Sequence, residues 1–216
     1  MEVLKNDARA KLYIEGADKY LETIGYTEHG FRHAAKVADS AYSIMKELGY
    51  PEGDAQLAAM SGYLHDIGNI FGRGNHDQLG AILSKEILEK LGMDMGNTMK
   101  VIGAIGIHEN GDGEIPGPIA AALLIADKAD VHRGRVRNPS MVSSDIHDRV
   151  NYAATESVLT VSSEAKTITL RLVIDTNISQ VIEYFEIFLS RMVVCKKAAR
   201  AIACEFQLYI NNTRMA

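Results

Sequence analysis

Apolar residues recur at helical spacing through most of the first 138 of the 216 residues. Between residues 31 and 48 they fall three or four positions apart, and Gly49, Tyr50 and Pro51 end the pattern. Gly-rich and Pro-rich stretches at residues 71–75 and 109–118 predict loops. The predicted helices are a polar one over 1–25, then 31–48, about 54–68 with Asp54 as its cap, about 76–91 ended by Gly92, 97–108, and 119–132.

The last third of the chain changes to a strand pattern. Apolar side chains alternate over residues 167–174, which predicts a strand, and residues 152–161 are its predicted partner across a turn. Asn177 is predicted to cap a final helix, with Gln180 completing a capping box. The expected apolar face of that helix comprises Ile178, Val181, Ile182, Phe185, Phe188, Leu189 and Met192.

Together these elements predict a mainly α fold. Residues 1–138 form a helical body, and residues 139–216 add a small antiparallel β-hairpin and a long C-terminal helix packed on it. The length fits one compact unit around a single core. On the final helix, Cys195 and Cys204 are nine positions apart, which points their thiols to opposite sides and predicts unpaired, reduced cysteines.

Composition narrows the range of partners. A net charge of −5 and a pI near 5.8 argue against a general nucleic-acid or anionic-membrane binder. They do not argue against a phosphorylated substrate, because bound metal inverts the local field. No basic-then-apolar signal pattern and no apolar run of ~18 residues is present, so a cytoplasmic location is expected.

The pair His65–Asp66 offers two metal ligands at the end of an apolar run. A lone histidine on an apolar face is more often a hydrogen-bonded core residue than a ligand. Asp127, however, lies on an apolar helical stripe, where a buried carboxylate needs a partner such as a metal. Helical bundles build metal sites from side chains at helix ends and facing surfaces. The candidate ligands placed in this way are His33, His65, Asp66, His76, His108 and Asp127.

Three motifs resemble the HD-domain superfamily of metal-dependent phosphohydrolases over roughly residues 29–137. They are Arg-His33-Ala-x-x-Val, Leu-His65-Asp66-Ile-Gly and Ile-Ala-Asp127-Lys-Ala-Asp130. His76 and His108 match the two further histidines of members that bind two metals. The resemblance implies an HD-domain helical bundle that hydrolyses a phosphoester or phosphoanhydride of a nucleotide or similar small molecule with metal-activated water.

The resemblance also assigns the ligands. Asp66 would bridge two ions, His33, His65 and Asp127 would complete one ion, and His76 and His108 would hold the other. Mixed imidazole and carboxylate ligands suit divalent transition metals, with Fe or Mn as first choices and Co, Ni, Zn or Mg as alternatives.

Two positions depart from the better-known branches of this superfamily, so the resemblance does not identify the substrate. Glu109 stands where cyclic-dinucleotide phosphodiesterases have a second histidine. Asn69 stands where those enzymes commonly have lysine and mononuclear 5′-nucleotidases have glutamate. One alternative is a mononuclear nucleoside monophosphate phosphatase in which His76 and His108 bind substrate. Another is a catalytically silent ligand-binding or interaction module in which the metal serves as a staple.

The remaining candidate residues surround the motifs. Lys128 and Asp130 join Asp66 as catalytic candidates, and Asp130 is expected to orient a ligand, relay protons or pair with an arginine. The basic residues of the last helix, including Arg191, are expected to form a solvated face. The expected partners are a small phosphorylated substrate and, because exposed strand edges often pair, a second copy of the chain. The substrate-binding candidates are Asn69, Arg73, Arg133, Arg135 and Arg137, and supporting or surface roles are expected for His29, His132 and His147.

Overall fold

The computed structural model describes residues 1–109 and 113–216, so the middle of the predicted loop 109–118 lies outside the described residues. Three short 3₁₀ helices, Ile67–Phe71, Arg133–Arg135 and Pro139–Met141, connect longer elements. The helices are α1 (Glu2–Asn6), α2 (Ala8–Thr23), α3 (Phe31–Glu47), α4 (Glu52–Leu64), α5 (His76–Lys90), α6 (Met95–Ile105), α7 (Pro118–Lys128), α8 (Ile146–Ala153) and α9 (Val181–Ala201). The strands are β1 (Ala154–Ser162), β2 (Thr167–Ile174), β3 (Glu205–Ile210) and β4 (Thr213–Arg214).

The helical body is centred on α7, which is buried from Ile119 to Lys128 and packs against α3, α4, α6 and α9. Helix α3 also packs closely on α4. A Cβ at Gly62 of α4 would lie 2.8 Å from the backbone N and Cα of Ala38, so the two helices meet at the level of the backbone. This close approach brings the first turn of α3 and the end of α4, where two of the candidate histidines lie, to the same side of the body.

Among the described residues, the β-sheet has four strands in the order β1-β2-β3-β4. Strands β1 and β2 form the predicted antiparallel hairpin, while β3 pairs with β2 in parallel, with Leu170 opposite Leu208. Helix α9 makes the crossover between β2 and β3 and packs on both α7 and β3. The mainly α fold with a small hairpin and a long final helix is confirmed, but β3 and β4 were not predicted.

The predicted N-terminus of α9 was wrong, and its predicted buried face was wrong at two positions. Gln180, rather than Asn177, is the N-cap, and Glu183 completes the capping box with it. Ile182 and Leu189 are 64% and 55% exposed. Phe188 and Met192 are buried as predicted, and Ile178, Val181 and Phe185 are partly buried against the core. Tyr184, Cys195, Ala198 and Ala199 complete the buried face, because it turns towards α7 and the sheet.

Other boundaries also differ from the sequence-based expectation. The opening helix is two helices separated by Asp7, whose carboxylate caps α2 through the amides of Arg9 and Ala10. Helix α4 begins just after Pro51, so Asp54 lies in its first turn and does not cap it. Helix α7 ends at Lys128, short of the expected residue 132, and α8 was not predicted.

The two cysteines do not share a helix. Cys195 belongs to α9, whereas Cys204 follows the end of that helix, so the geometric reason given for their separation was wrong. Both thiols are nevertheless free and buried. None of the helices in the described part of the chain combines the length and hydropathy that a membrane span requires.

Candidate metal centre

Four buried histidines converge in the middle of the helical body. His33 lies in the first turn of α3, His65 follows the last residue of α4, His76 begins α5, and His108 lies just beyond α6. They form two pairs: the Nε2 atoms of His33 and His65 are 3.3 Å apart, and those of His76 and His108 are 3.2 Å apart. All four rings are at most 1% exposed.

Asp66 lies between the two histidine pairs. Its Oδ2 is 3.1 Å from His65 Nε2 and 3.6 Å from His33 Nε2. Its Oδ1 is 3.6 Å from His76 Nε2 and 3.7 Å from His108 Nε2. The two oxygens of one carboxylate therefore face different pairs, which is the arrangement that a bridging ligand requires.

Asp127 joins the first of the two pairs only. Its Oδ1 lies 3.4 Å from His33 Nε2 and 3.7 Å from His65 Nε2. Helix α7 supplies this aspartate from the buried stripe that the sequence predicted. The structure thus brings all six candidate ligands together.

Hydrogen bonds at Nδ1 fix which nitrogen of each ring faces the cluster. The Nδ1 atoms of His65, His76 and His108 lie 2.7–2.8 Å from backbone carbonyl oxygens three residues earlier in the chain. A carbonyl oxygen only accepts, so Nδ1 carries the proton and, in the neutral ring, Nε2 presents a lone pair. Lone pairs and carboxylate oxygens thus converge, and this set of donors fits a divalent cation.

The electrostatics of the cluster also favour bound positive charge. Burial, the largest single effect, lowers the pKa of His65, but the carboxylates of Asp66 and Asp127 outweigh it and raise that pKa to about 10. Burial raises the pKa of Asp66 and Asp127, but the neighbouring charges outweigh it: His65 holds the pKa of Asp66 well below the ordinary range, and Lys128 with His65 does the same for Asp127. The two carboxylates stay ionised, and the cavity between them attracts a proton or a metal cation.

Asp130 supports His33 from behind. Its Oδ2 accepts from His33 Nδ1 at 2.7 Å and from Arg32 Nη2 at 2.7 Å, and the residue is 2% exposed. Burial raises the pKa of Asp130, but the hydrogen bond from His33 and the charge of Arg135 outweigh it and lower that pKa strongly. The ionised carboxylate therefore orients the His33 ring. Sequence reasoning missed Arg32, although it adjoins a predicted ligand.

Further polar contacts at the cluster involve Asn69, Lys128 and Glu109. Asn69 Nδ2 donates to Asp66 Oδ1 at 2.8 Å, so it orients a proposed ligand. Lys128 Nζ lies 2.7 Å from Asp127 Oδ2 and 3.4 Å from Glu109 Oε2. Glu109, which sequence reasoning treated only as a departure from a family pattern, also groups with His76 and His108 as a set that could hold a metal ion.

The predicted arginines are divided between the site and other regions. Arg73 Nη2 pairs with Glu109 at 3.1 Å, and its Nη1 lies 4.0 Å from Asp66 Oδ1. Arg135 is buried against the backbone carbonyl of Asp130. Arg133 instead lies over the Tyr152 ring, and Arg137 donates to the Asp18 carboxylate and to backbone carbonyls. Within the described chain, neither of those two contacts a proposed ligand.

A cavity of about 430 Å³ adjoins the cluster. Arg73 and Arg135 line it together with His29, whose ring packs edge-on against His33 with centroids 5.3 Å apart. Helices α8 and α9 form the far wall, where Arg191 lines the cavity. The expectation that the basic residues of the last helix form a solvated face is therefore wrong for Arg191.

Comparisons with known proteins agree with the motifs. The family model for the HD domain matches residues 30–133. The uncharacterized protein MJ1020 of Methanocaldococcus jannaschii is 29% identical over 175 residues, which cover 70% of this chain and 66% of that protein. Ribonuclease Y of Streptococcus sanguinis is 31% identical over 121 residues, 55% of this chain and 20% of that protein. The chain thus spans less than two thirds of either relative. No solved structure gives a significant match.

Proposed function

Because residues 30–133 form an HD domain, we propose that this chain is a metal-dependent phosphohydrolase that uses two metal ions to cleave a phosphoester or phosphoanhydride of a small molecule. HD domain proteins are generally metal-dependent phosphohydrolases. The observation that supports two ions is the position of Asp66, whose Oδ2 lies 3.1–3.6 Å from the Nε2 atoms of one histidine pair and whose Oδ1 lies 3.6–3.7 Å from those of the other.

In this proposal each ion has its own set of ligands. His33, His65, Asp127 and Asp66 Oδ2 would hold one ion, and His76, His108 and Asp66 Oδ1 would hold the other. The ligand chemistry favours Fe or Mn, with Co, Ni, Zn or Mg as alternatives. When bound, the ions lower the pKa of water and polarise the phosphoryl group.

The surrounding residues hold the ligands and balance charge. Asp130 fixes the ring of His33, and Asn69 fixes the carboxylate of Asp66. The ammonium of Lys128 and the guanidinium of Arg73 both contact Glu109 at the edge of the site. An arriving phosphate can replace that carboxylate between the two cations, because its oxygens accept the same hydrogen bonds.

Metal counting joined to a substrate panel tests this proposal. The protein would be loaded with Mn or Fe under anaerobic conditions and offered nucleotides, cyclic dinucleotides, bis(p-nitrophenyl) phosphate and a short RNA. The RNA is included because one relative is named a ribonuclease. Two equivalents of metal with turnover support the binuclear enzyme. One equivalent with turnover supports the mononuclear phosphatase, and metal without turnover supports the catalytically silent module.

Substitution of the shared ligand gives a sharper test. Asp66→Ala is expected to lower the metal content and to reduce turnover more than about 100-fold, since even supporting residues of metal sites contribute about 10- to 100-fold. Metal analysis measures the first effect, and turnover of bis(p-nitrophenyl) phosphate measures the second. Asp39→Ala, at an exposed position on α3, is the control. Full metal content in a folded Asp66→Ala protein would contradict the bridging role.

A further inference from the structure

The cavity beside the candidate metal centre has the size of a small-molecule site. Its volume of about 430 Å³ falls in the range of ~300–1,000 Å³ that is usual for ligand pockets. Arg73 connects it to the centre, because this residue both lines the cavity and approaches Asp66 to 4.0 Å. The far wall comes from α8 and α9, which lie outside the residues matched by the HD domain model.

Two buried polar atoms at this cavity have no hydrogen-bond partner in the described structure. They are Nη2 of Arg135 and Oδ1 of Asn151, in residues that are 3% and 4% exposed. The other donors of Arg135 are used: Nε donates to the carbonyl of Glu28 at 3.2 Å and Nη1 to that of Asp130 at 3.0 Å. A buried donor or acceptor without a partner is destabilising, so a ligand or water that pairs with either atom is favoured.

The orientation of Asn151 is determined by its other hydrogen bond. Its Nδ2 donates to the backbone carbonyl of His147 at 2.8 Å. A flipped amide would place Oδ1 against that carbonyl, where two acceptors would repel. The unpaired group of Asn151 is therefore an acceptor, and it requires a ligand that donates, such as a hydroxyl or an amine.

The guanidinium groups that line the cavity favour binding of an anion. Arg73, Arg135 and Arg191 line the cavity together with Asp145 and His147. Arg73 pairs with Glu109 at 3.1 Å, and Arg135 Nε lies 3.8 Å from Asp130 Oδ2, so these two guanidinium groups have carboxylate partners outside the lining. The Asp145 carboxylate accepts from the amides of His147 and Asp148 as the cap of α8. Arg191 packs over the Phe188 ring, and it makes no ion pair within the described residues. A phosphate monoester, with a charge of about −1.5 to −2, can accept hydrogen bonds from Arg191 and from the unpaired Nη2 of Arg135.

We propose that this cavity binds a second phosphate group of the substrate. Arg135 and Arg191 donate to the phosphate oxygens, and Asn151 accepts from a hydroxyl or amine beside it. The substrate class is then a nucleotide or phosphorylated sugar with two phosphates, one at the metal centre and one in the cavity. This assignment rests on the proposed phosphohydrolase function, because that function places the first phosphate.

Kinetics on matched substrates tests the assignment. The metal-loaded protein would be assayed with adenosine 5′-monophosphate, adenosine 5′-diphosphate and adenosine 3′,5′-bisphosphate. A preference in kcat/KM for a two-phosphate substrate is expected. In Arg191→Gln that preference should fall about tenfold or more through KM, because a hydrogen bond to a charged group contributes about 1.5–3 kcal/mol. Arg191→Lys, which keeps the charge, should recover part of it.

Binding without turnover separates this inference from the proposed function. The affinity for adenosine 5′-(α,β-methylene)diphosphate would be measured by calorimetry in wild type, Arg191→Gln and Arg200→Gln. Arg200 is exposed on the same helix, so its variant should behave as wild type. If the analogue binds in a way that depends on Arg191 but no substrate is turned over, the anion site is supported and the proposed hydrolase function is contradicted. Turnover with no two-phosphate preference and no effect of Arg191→Gln would overturn the second-phosphate site and leave water as the partner of the unpaired atoms.

Discussion

At the candidate metal centre, each of the four histidines makes a hydrogen bond through Nδ1, which leaves Nε2 for a metal. Backbone carbonyls hold three of the histidines at Nδ1, and the fourth, His33, is held by the carboxylate of Asp130. That carboxylate also accepts from Arg32 and is almost fully buried. Asp130 is therefore placed to position His33, and its role as a proton relay is the competing hypothesis.

Asp130→Ala distinguishes these two roles. If Asp130 positions His33, we expect metal affinity to fall about 10- to 100-fold and turnover to recover at high metal concentration. Asp130→Asn should be milder, since its side-chain oxygen can still accept from His33 Nδ1. Metal titration and kcat at saturating metal measure the effect. Normal metal affinity with a persistent loss of kcat would instead support the relay.

At the scale of elements, the approach of α3 to α4 sets the spacing of the first histidine pair. A Cβ at Gly62 would lie 2.8–2.9 Å from backbone atoms of Val37 and Ala38, which cannot move without separating the helices. Gly62 also supplies the carbonyl that accepts from His65 Nδ1. Packing and ligand orientation therefore depend on the same glycine.

Gly62→Ala should reduce both stability and metal binding. We expect a loss of roughly 1–3 kcal/mol in the free energy of unfolding, typical of overpacking, together with weaker metal binding. Gly53→Ala is a matched control, because Gly53 lies in the same helix with nothing within 4 Å of its added Cβ. That change should be neutral or stabilise by up to about 1 kcal/mol. Urea unfolding of the metal-free proteins measures the difference, and equal stabilities of the two variants would refute the close approach.

The start of α9 depends on Glu183, which closes the capping box and pairs with Arg149 of α8. Hydrogen bonding from Arg149 and Ser179 lowers the pKa of Glu183 from 4.5 to about 2. A depressed carboxyl pKa stabilises the fold above the ordinary pKa, and this contribution is lost as the pH falls through the folded-state value.

Glu183→Gln should therefore lower the melting temperature at neutral pH. We expect its deficit relative to wild type to shrink as the pH falls from 4.5 towards about 2. Thermal unfolding followed by circular dichroism across this range measures it. Glu186→Gln, at an exposed position on the same helix, controls for a general loss of negative charge. A deficit that stays constant with pH would exclude the ion pair as its cause.

For the whole molecule, metal binding should increase the stability of the fold, because the candidate ligands converge in the core only when the chain is folded. A ligand that binds only the folded chain stabilises it by about 2.7 kcal/mol at 100 times its Kd, which for a chain of this size is roughly 5–10 °C. Chelation should lower the melting temperature by about that amount, and added Mn should restore it. Asp66→Ala should lack the response. A chelator that leaves the melting temperature of metal-loaded wild type unchanged would contradict a metal in the core.

The association state of the molecule stays a prediction. The homodimer was expected from exposed strand edges, and the structure adds exposed apolar residues on α9, among them Ile182, Leu189 and Val193. Sedimentation at several protein concentrations would measure it.

The sequence by itself determined most of the helical segments, the hairpin and the six candidate ligands. These features have local signals: the spacing of apolar residues, and histidines and aspartates in short motifs. Strand β3 had such a signal too, since Phe206, Leu208 and Ile210 alternate and are buried. Cys204, the residue just before this strand, was expected on the final helix, and no prediction was made for the residues that follow.

Only the tertiary structure decided how these segments serve the site. Three features join residues that are distant in sequence: the parallel pairing of β2 with β3, the ion pair of Arg137 with Asp18, and the position of Arg191 at the cavity. The four histidines likewise became an ordered set only when Nδ1 of each ring found its acceptor. A local pattern sets the type of element and the chemistry of a side chain. Its partner depends on which distant surface the packed chain brings within hydrogen-bond distance.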